Sequence, residues 1–251
     1  VDPILRKNYH DQLTLSTLYA YSEHYILTLG SRDVGSLDQF MAKLPGDEKQ
    51  KLAQVREAYS YMMVHPGCKM MAPGADMPEE LGKCIQALNA LYKNSPALYQ
   101  MDDEYDGFEW VQLMKYEENV ITFLRKTEKP EETLLVICNF AAIPYENYQV
   151  GVPFAGKYKE IFNSDAAEFG GEGVVNSRVK TAKAEECDER EYSIKVKLPA
   201  LGVSIYSCTP GKAPARKNVT AAKTAKDKTA GKLVRTVKAK TPAKKSVKEE
   251  K

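Results

Sequence analysis

The chain has 251 residues, 43% of them apolar and 28% charged, which is enough to bury one large core or two smaller ones, and no apolar run approaches the roughly 20 residues of a membrane span. The net charge of +2 conceals an asymmetry, because residues 211–251 carry 14 Lys and Arg against 3 acids, a net of +11, and the rest of the chain carries a net of −9. Five scattered cysteines (Cys68, Cys84, Cys138, Cys187, Cys208) with no Cys-x-x-Cys pair read as buried or reduced thiols rather than a disulfide framework or a zinc site, and with no basic-then-apolar leader they point to the cytosol.

The chain opens on Val1 rather than Met, directly into the helix-start pair Asp2-Pro3, and so reads as the remainder of something longer. Apolar residues on a helical repeat then predict one helix over residues 3–22. Residues 25–29 (Tyr-Ile-Leu-Thr-Leu) are short, β-prone and bounded by Gly30, the pattern of a parallel strand buried on both faces. A Gly- and Asp-rich loop over residues 30–47 leads to a helix over residues 48–64, stopped by Pro66-Gly67, and a second strand follows over residues 68–72. After Met77-Pro78-Glu79-Glu80, the positions Leu81, Cys84, Ile85, Leu88, Leu91 and Tyr92 form the clearest apolar helical stripe in the chain.

From Asp106-Gly107 the period changes to two. Residues 108–114, 119–126, 133–140, 148–152, 158–162, 192–198 and 203–208 are strand candidates with no helix between them, the pattern of a small antiparallel β-sandwich. Residues 163–191 read as a long loop. Residues 209–251 repeat Ala, Lys, Thr and Pro with almost no aromatics, cannot bury enough apolar surface to offset chain entropy, and read as a disordered basic tail. Its 14 cations admit contact with nucleic acid or another polyanion by counterion release, or a solvating appendage with no partner.

Two α/β strands cannot make a free-standing parallel sheet, so residues 1–95 read as the last segment of a larger wound sheet or barrel. In a barrel, the loop after Leu29, with Ser31, Arg32, Asp33 and Asp38, and the loop from Pro73 to Asp76 would face the site of chemistry, although loop acids and arginines occur on any α/β surface. His10, His24 and His65 lie far apart without a metal-ligand spacing and read as structural. Tyr59, Tyr61, Met62 and Met63 read as core, as does Phe108-Glu109-Trp110 in preference to a sugar platform.

Several motifs in order carry a resemblance. Lys43-Leu44-Pro45-Gly46-Asp47, the segment Arg56-Glu57-Ala58-Tyr59-Ser60-Tyr61-Met62 and His65-Pro66-Gly67-Cys68-Lys69-Met70 are similar to the Lys-Met-Pro-Gly-Asp turn, Arg-x-x-Tyr-Gly-Tyr-Met helix and His-Pro-Gly-Lys-Lys strand entry of bacterial glycogen branching enzymes of the α-amylase superfamily. Leu88-Asn89-Ala90-Leu91-Tyr92, Gly107-Phe108-Glu109-Trp110, Asn163-Ser164-Asp165 and Leu198-Pro199-Ala200-Leu201 resemble the family's last barrel helix and its C-terminal β-domain.

The resemblance covers about residues 1–208. It implies the C-terminal part of a TIM (β/α)8 barrel over residues 1–95, an all-β domain over residues 96–208 and the tail over residues 209–251, that is, α/β plus all-β. It implies retaining transfer of α-1,4-glucan chains to sugar 6-hydroxyls in glycogen biosynthesis, with glycogen or another α-1,4-glucan as partner and no cofactor. The family's nucleophile and general acid lie before its seventh strand, so the resemblance places neither in this chain. Where the family has Ser-His-Asp-Glu-Val after that strand, this chain has Gly30-Ser31-Arg32-Asp33-Val34, and only a two-residue slip lets Asp33 take the catalytic Asp place. Ser31, Arg32 and Asp76 are the substrate-binding candidates beside it. A non-catalytic α-glucan-binding or scaffolding homologue is the alternative.

Overall fold

The computed structural model describes residues 3–18, 20–21, 26–30, 36–72 and 77–212. The first segment forms two 3-10 turns, Pro3–Leu13 and Leu15–Leu18, rather than the single α-helix expected over residues 3–22. Tyr9 stands at non-helical angles (φ −123°, ψ 16°) inside it, because tertiary contacts on both sides of Tyr9 outweigh the helical repeat. Arg6 donates to the Phe140 carbonyl at 3.2 Å, and the two ring nitrogens of His10 lie 2.8 Å from Asn119 Oδ1 and 2.9 Å from the Leu113 carbonyl.

Strand β1 (Ile26–Gly30) is followed by α1 (Leu37–Ala42), a two-turn helix inside the segment expected to be loop. Ser36 and Gln39 close a reciprocal capping box on it, which stabilises so short a helix. A second capping box, Asp47 with Gln50, starts α2 (Glu48–Val64), and α2 ends where Pro66-Gly67 cannot continue it. Strand β2 (Cys68–Ala72) pairs parallel with β1, with Ile26 opposite Cys68 and Gly30 opposite Ala72. Helix α3 (Glu79–Asn94) carries two acids in its first turn and Lys93 in its last, matching the helix dipole at both ends.

The β-domain contains β3 (Phe108–Lys115), β4 (Val120–Arg125), β5 (Leu134–Asn139), β6 (Tyr145–Val152), β7 (Gly156–Asn163), β8 (Lys180–Thr181), β9 (Tyr192–Leu198) and β10 (Gly202–Pro210). Six of them form one antiparallel sheet in the order β3-β4-β5-β10-β7-β8, and β6 and β9 form a separate pair. The short β8 and a 3-10 turn at Ala167–Phe169 lie within the segment expected to be loop.

Alternate residues of the large sheet enter different cores, since side chains of a strand point to opposite faces. Ile121, Phe123, Leu134, Val136, Cys138 and Ile205 pack with Val55, Tyr59 and Met63 of α2 and with Leu81, Ile85 and Leu88 of α3. Val120, Leu124, Leu135, Ile137, Tyr206 and Cys208 pack with Tyr148 and Val150 of β6 and with Ile194 and Val196 of β9. Burial on both faces is why Leu134-Leu135-Val136-Ile137-Cys138 reads as an unbroken apolar run.

The β1–β2 pair differs from the strand buried on both faces that the sequence predicts. Leu27 and Leu29 pack toward the helical core, whereas Ile26 and Met70 are 66% and 53% exposed. No described element lies over that second face.

Candidate functional site

The two parallel strands end on one edge, at Gly30 and Ala72, and the chain runs from those ends directly into residues 31–35 and 73–76. Asp33, the predicted catalytic residue, and Ser31, Arg32 and Asp76, the predicted substrate contacts, all lie outside the described residues. So do His24 and residues 213–251, which hold most of the predicted tail. What the structure describes is the frame that carries those strand ends: three polar clusters set around α2, β2 and the β-domain.

The first cluster holds the start of β2. Arg125, fully buried at the end of β4, donates to the Val64 carbonyl at 2.8 Å and pairs with Asp102 at 2.5 Å. The other carboxylate oxygen of Asp102 accepts from the Gly67 amide at 2.8 Å and lies 3.5 Å from Lys69 Nζ. Lys69 donates to the Gly67 carbonyl at 2.5 Å and sits over the Tyr92 ring, 5.2 Å from its centroid. Burial lowers the Lys69 pKa to about 8, against the pull of Asp102. The cluster therefore ties the α2–β2 junction to the β-domain through two cations sharing one carboxylate. Beside it, burial lowers the His65 pKa to about 4, and His65 Nδ1 lies 2.8 Å from the Pro66 carbonyl.

The second cluster lines a cavity of about 390 Å³ between the first segment, β1, α1 and α2. Glu57 is buried there with its Oε2 3.4 Å from Arg6, and Arg6 also bonds the Gln54 side chain. The second oxygen of Glu57 has no hydrogen-bond partner among the described residues. Desolvation raises the Glu57 pKa to about 8 despite Arg6. The walls, including Leu13, Leu29, Phe40 and Met62, are apolar.

The third joins α2 to the loop after β7. Arg56 Nε donates to the Ser164 carbonyl at 2.9 Å, and Asp165 accepts from the amides of Glu172 and Val174 at 3.0 Å each. No spacing signal announces any of these clusters, since Arg6 and Glu57, Arg56 and Ser164, and Asp102 and Arg125 are brought together only by the fold. The one local hint is a charged Arg-Glu pair inside the apolar stretch of α2.

Other candidates take structural roles. Trp110 packs edge-on against Phe108 and Phe123, with centroids 4.9 and 5.6 Å away, and its Nε1 donates to Thr17 at 3.3 Å. All five cysteines are free thiols, and burial pushes Cys84 up to about 12 and Cys187 to about 11, which removes thiolate reactivity from both. Among the described residues, no three His, Cys, Asp or Glu side chains come together as a metal-binding group, and no helix is long and apolar enough to cross a membrane.

Comparison with known proteins bears on this frame. Residues 110–209 match the family described as alpha amylase, C-terminal all-beta domain. The chain is 37% identical over 227 residues to a 1,4-alpha-glucan branching enzyme of Oceanobacillus iheyensis, covering 82% of this chain and 36% of that enzyme. It is also 37% identical over 227 residues to the Aquifex aeolicus branching enzyme, covering 80% of this chain and 36% of that one. The chain thus spans about a third of the length of the curated relatives it matches. Among solved structures, the maltotriose complex of PulA from Klebsiella pneumoniae aligns with a TM-score of 0.53 at 10% identity, over 85% of this chain and 32% of that one, a likeness of fold.

Proposed function

We propose, from the premise that this chain belongs over the region it matches to the 1,4-alpha-glucan branching enzyme family, that it acts as the C-terminal portion of such an enzyme in glycogen biosynthesis. In this reading β1 and β2 are the last two strands of a (β/α)8 barrel, residues 1–95 complete that barrel, residues 96–208 buttress it, and residues 209–251 trail as a basic tail that contacts polyanions weakly. The single observation that carries the reading is the parallel pair itself. Its strands end together at Gly30 and Ala72, one face is packed on α2, and the other presents Ile26 and Met70 to solvent.

The reaction is retaining transfer: a carboxylate opens an α-1,4 linkage, an acid protonates the leaving oxygen, and a sugar 6-hydroxyl takes the chain. The nucleophile and acid come from preceding barrel strands, and Asp33, Ser31, Arg32 and Asp76 hold the glucan from the last two strand ends. The buried Arg125–Asp102–Lys69 cluster contributes by fixing where β2 starts, hence where it ends.

The test is branching of amylose, read as the fall in iodine absorbance, with residues 1–251 and with a form extended upstream by the relatives' preceding strands. Activity confined to the extended form, and lost on Asp33→Asn, supports the reading. Silence in the extended form overturns it.

A further inference from the structure

The cavity of about 390 Å³ beside α2 has no part in the glucan reading, yet its wall holds an unsatisfied group. Glu57 is 3% exposed, and among the described residues its Oε1 has no hydrogen-bond partner. Its other oxygen meets Arg6 only at 3.4 Å, long for a charge-assisted bond. The polar side chains around it are already engaged. Gln54 donates to the Pro45 and Gln50 carbonyls at 2.8 and 3.0 Å and accepts from Arg6, Arg6 also donates to the Phe140 carbonyl, and the Tyr61 hydroxyl donates to the Leu13 carbonyl at 2.6 Å. A buried oxygen in this state is costly until some group outside this set pairs with it.

The surroundings narrow what that group can be. Water fits poorly, because an interior water makes about three hydrogen bonds and most of this wall, from Leu13, Leu27, Leu29, Phe40, Met62 and Phe140, is apolar. A sugar fits no better, since its many hydroxyls would lie unpaired against the same side chains. An anion would face the Glu57 carboxyl, and a cation would face the Arg6 guanidinium that already shares it, so the charges favour a neutral occupant. Desolvation raises the Glu57 pKa to about 8, and a hydroxyl, which both donates and accepts, pairs with either form of the group. The volume falls within the range of small-molecule sites, about 300–1,000 Å³.

We propose that this cavity binds a small neutral molecule with an apolar body and a single hydroxyl, an alcohol or a phenol, whose hydroxyl pairs with Glu57 Oε1. Leu27, Thr28 and Leu29 of β1 line the same cavity, so the bound molecule braces the strand that leads into residues 31–33. Binding of this kind is independent of the glucan reading, and the cavity is formed wholly by described residues of this chain.

The experiment titrates the full 251-residue chain with benzyl alcohol and reads the ¹³C-methyl shifts of Leu29 and Met62, with ethylbenzene, benzylammonium and glucose in separate arms. Saturable shifts with benzyl alcohol are expected, at a Kd about tenfold below that of ethylbenzene, which has a similar body and no hydroxyl, and below that of benzylammonium, which carries a charge in its place. Glu57→Leu, which removes the unpaired oxygen, is expected to erase the advantage of the alcohol over ethylbenzene. Ala58→Phe, which fills the cavity from α2 and leaves Glu57 in place, is expected to abolish the shifts with every probe. Equal affinity of the wild-type chain for benzyl alcohol and ethylbenzene overturns the pairing with Glu57 and with it the proposal. Tighter binding of benzylammonium would identify a cation site, and tighter binding of glucose a sugar site, each overturning it. Shifts that neither variant alters place the probe elsewhere and overturn it too, as does an absence of saturable shifts. None of these outcomes touches the branching reading, which the activity of the extended form decides.

Discussion

The six-stranded sheet and the two-stranded sheet are built from similar apolar residues and end in different situations. The large sheet has helices α2 and α3 on one face and the β6–β9 pair on the other, so the side chains of its strands β4 and β5 are buried whichever way they point, while Met114 of β3 and Ile161 of β7 stay exposed. Among the described residues the small sheet has a partner on one face only, and Ile26 and Met70 are exposed on the other. The difference teaches where stability resides. Burial of both faces makes the β-domain with α2 and α3 a self-sufficient body, whereas β1 and β2 are held by one face and by their ends.

The largest expected effects lie in the closed region and at its tie to the open one. Phe123→Ala removes a fully buried ring packed on Tyr61, Phe108 and Trp110, and should cost about 3–5 kcal/mol in urea unfolding. Asp102→Ala leaves Arg125 and Lys69 without their shared carboxylate and should cost a similar ~3–5 kcal/mol. A β2 that depends little on this tie would show a far smaller loss, which would break the comparison.

Two groups at the junction give pH slopes of opposite sign. His65 has a folded pKa of about 4, below its ordinary 6.5, so its stabilisation is complete above pH 6.5 and is lost as the pH falls toward 4, by about 3 kcal/mol. Glu57 has a folded pKa of about 8, above its ordinary 4.5, so stability falls as the pH rises from 4.5 to 8. Urea midpoints across pH 4–8 for His65→Gln and Glu57→Gln should show each slope vanish separately. Below these in size, Asp47→Ala opens the capping box of α2 and should cost ~1 kcal/mol. The smallest effect is the sharpest: Ile26→Ala should change the stability of the 251-residue chain by less than about 0.5 kcal/mol. In the upstream-extended form, where a barrel covers that face, the same change should cost about 2–5 kcal/mol.

Elements governed by local rules were legible in the sequence. The helix over residues 48–64, stopped by Pro66-Gly67, is observed with those bounds, and β2 and β9 fall where pattern alone puts them. The first segment departs from the helix its spacing predicts because Arg6 and His10 take distant partners that override that spacing. Helix α1 was hidden in a polar stretch, though its Ser36–Gln39 box was there to be read. Strand order, with β10 between β5 and β7, has no local signature at all. The same holds for the polar clusters, since the partners Arg56 and Ser164 are 108 residues apart. The positions of Ser31, Arg32, Asp33 and Asp76 follow from the neighbouring strands and the family resemblance, which fix a place along the chain and not a geometry.

The place of β10 carries a consequence for how the molecule is made. As the last described strand it supplies the middle of the large sheet, bonding β5 through Gly202–Ser207 and β7 through Ser204–Pro210. Strands β3 to β5 and β7 therefore leave the ribosome as two groups with no shared ladder, each exposing an open edge until residue 210 has been synthesised. Assembly waits on that strand, so folding of this domain is expected to be slow for its size, and a chain stopped short of Gly202 would carry nearly every strand yet no sheet able to close.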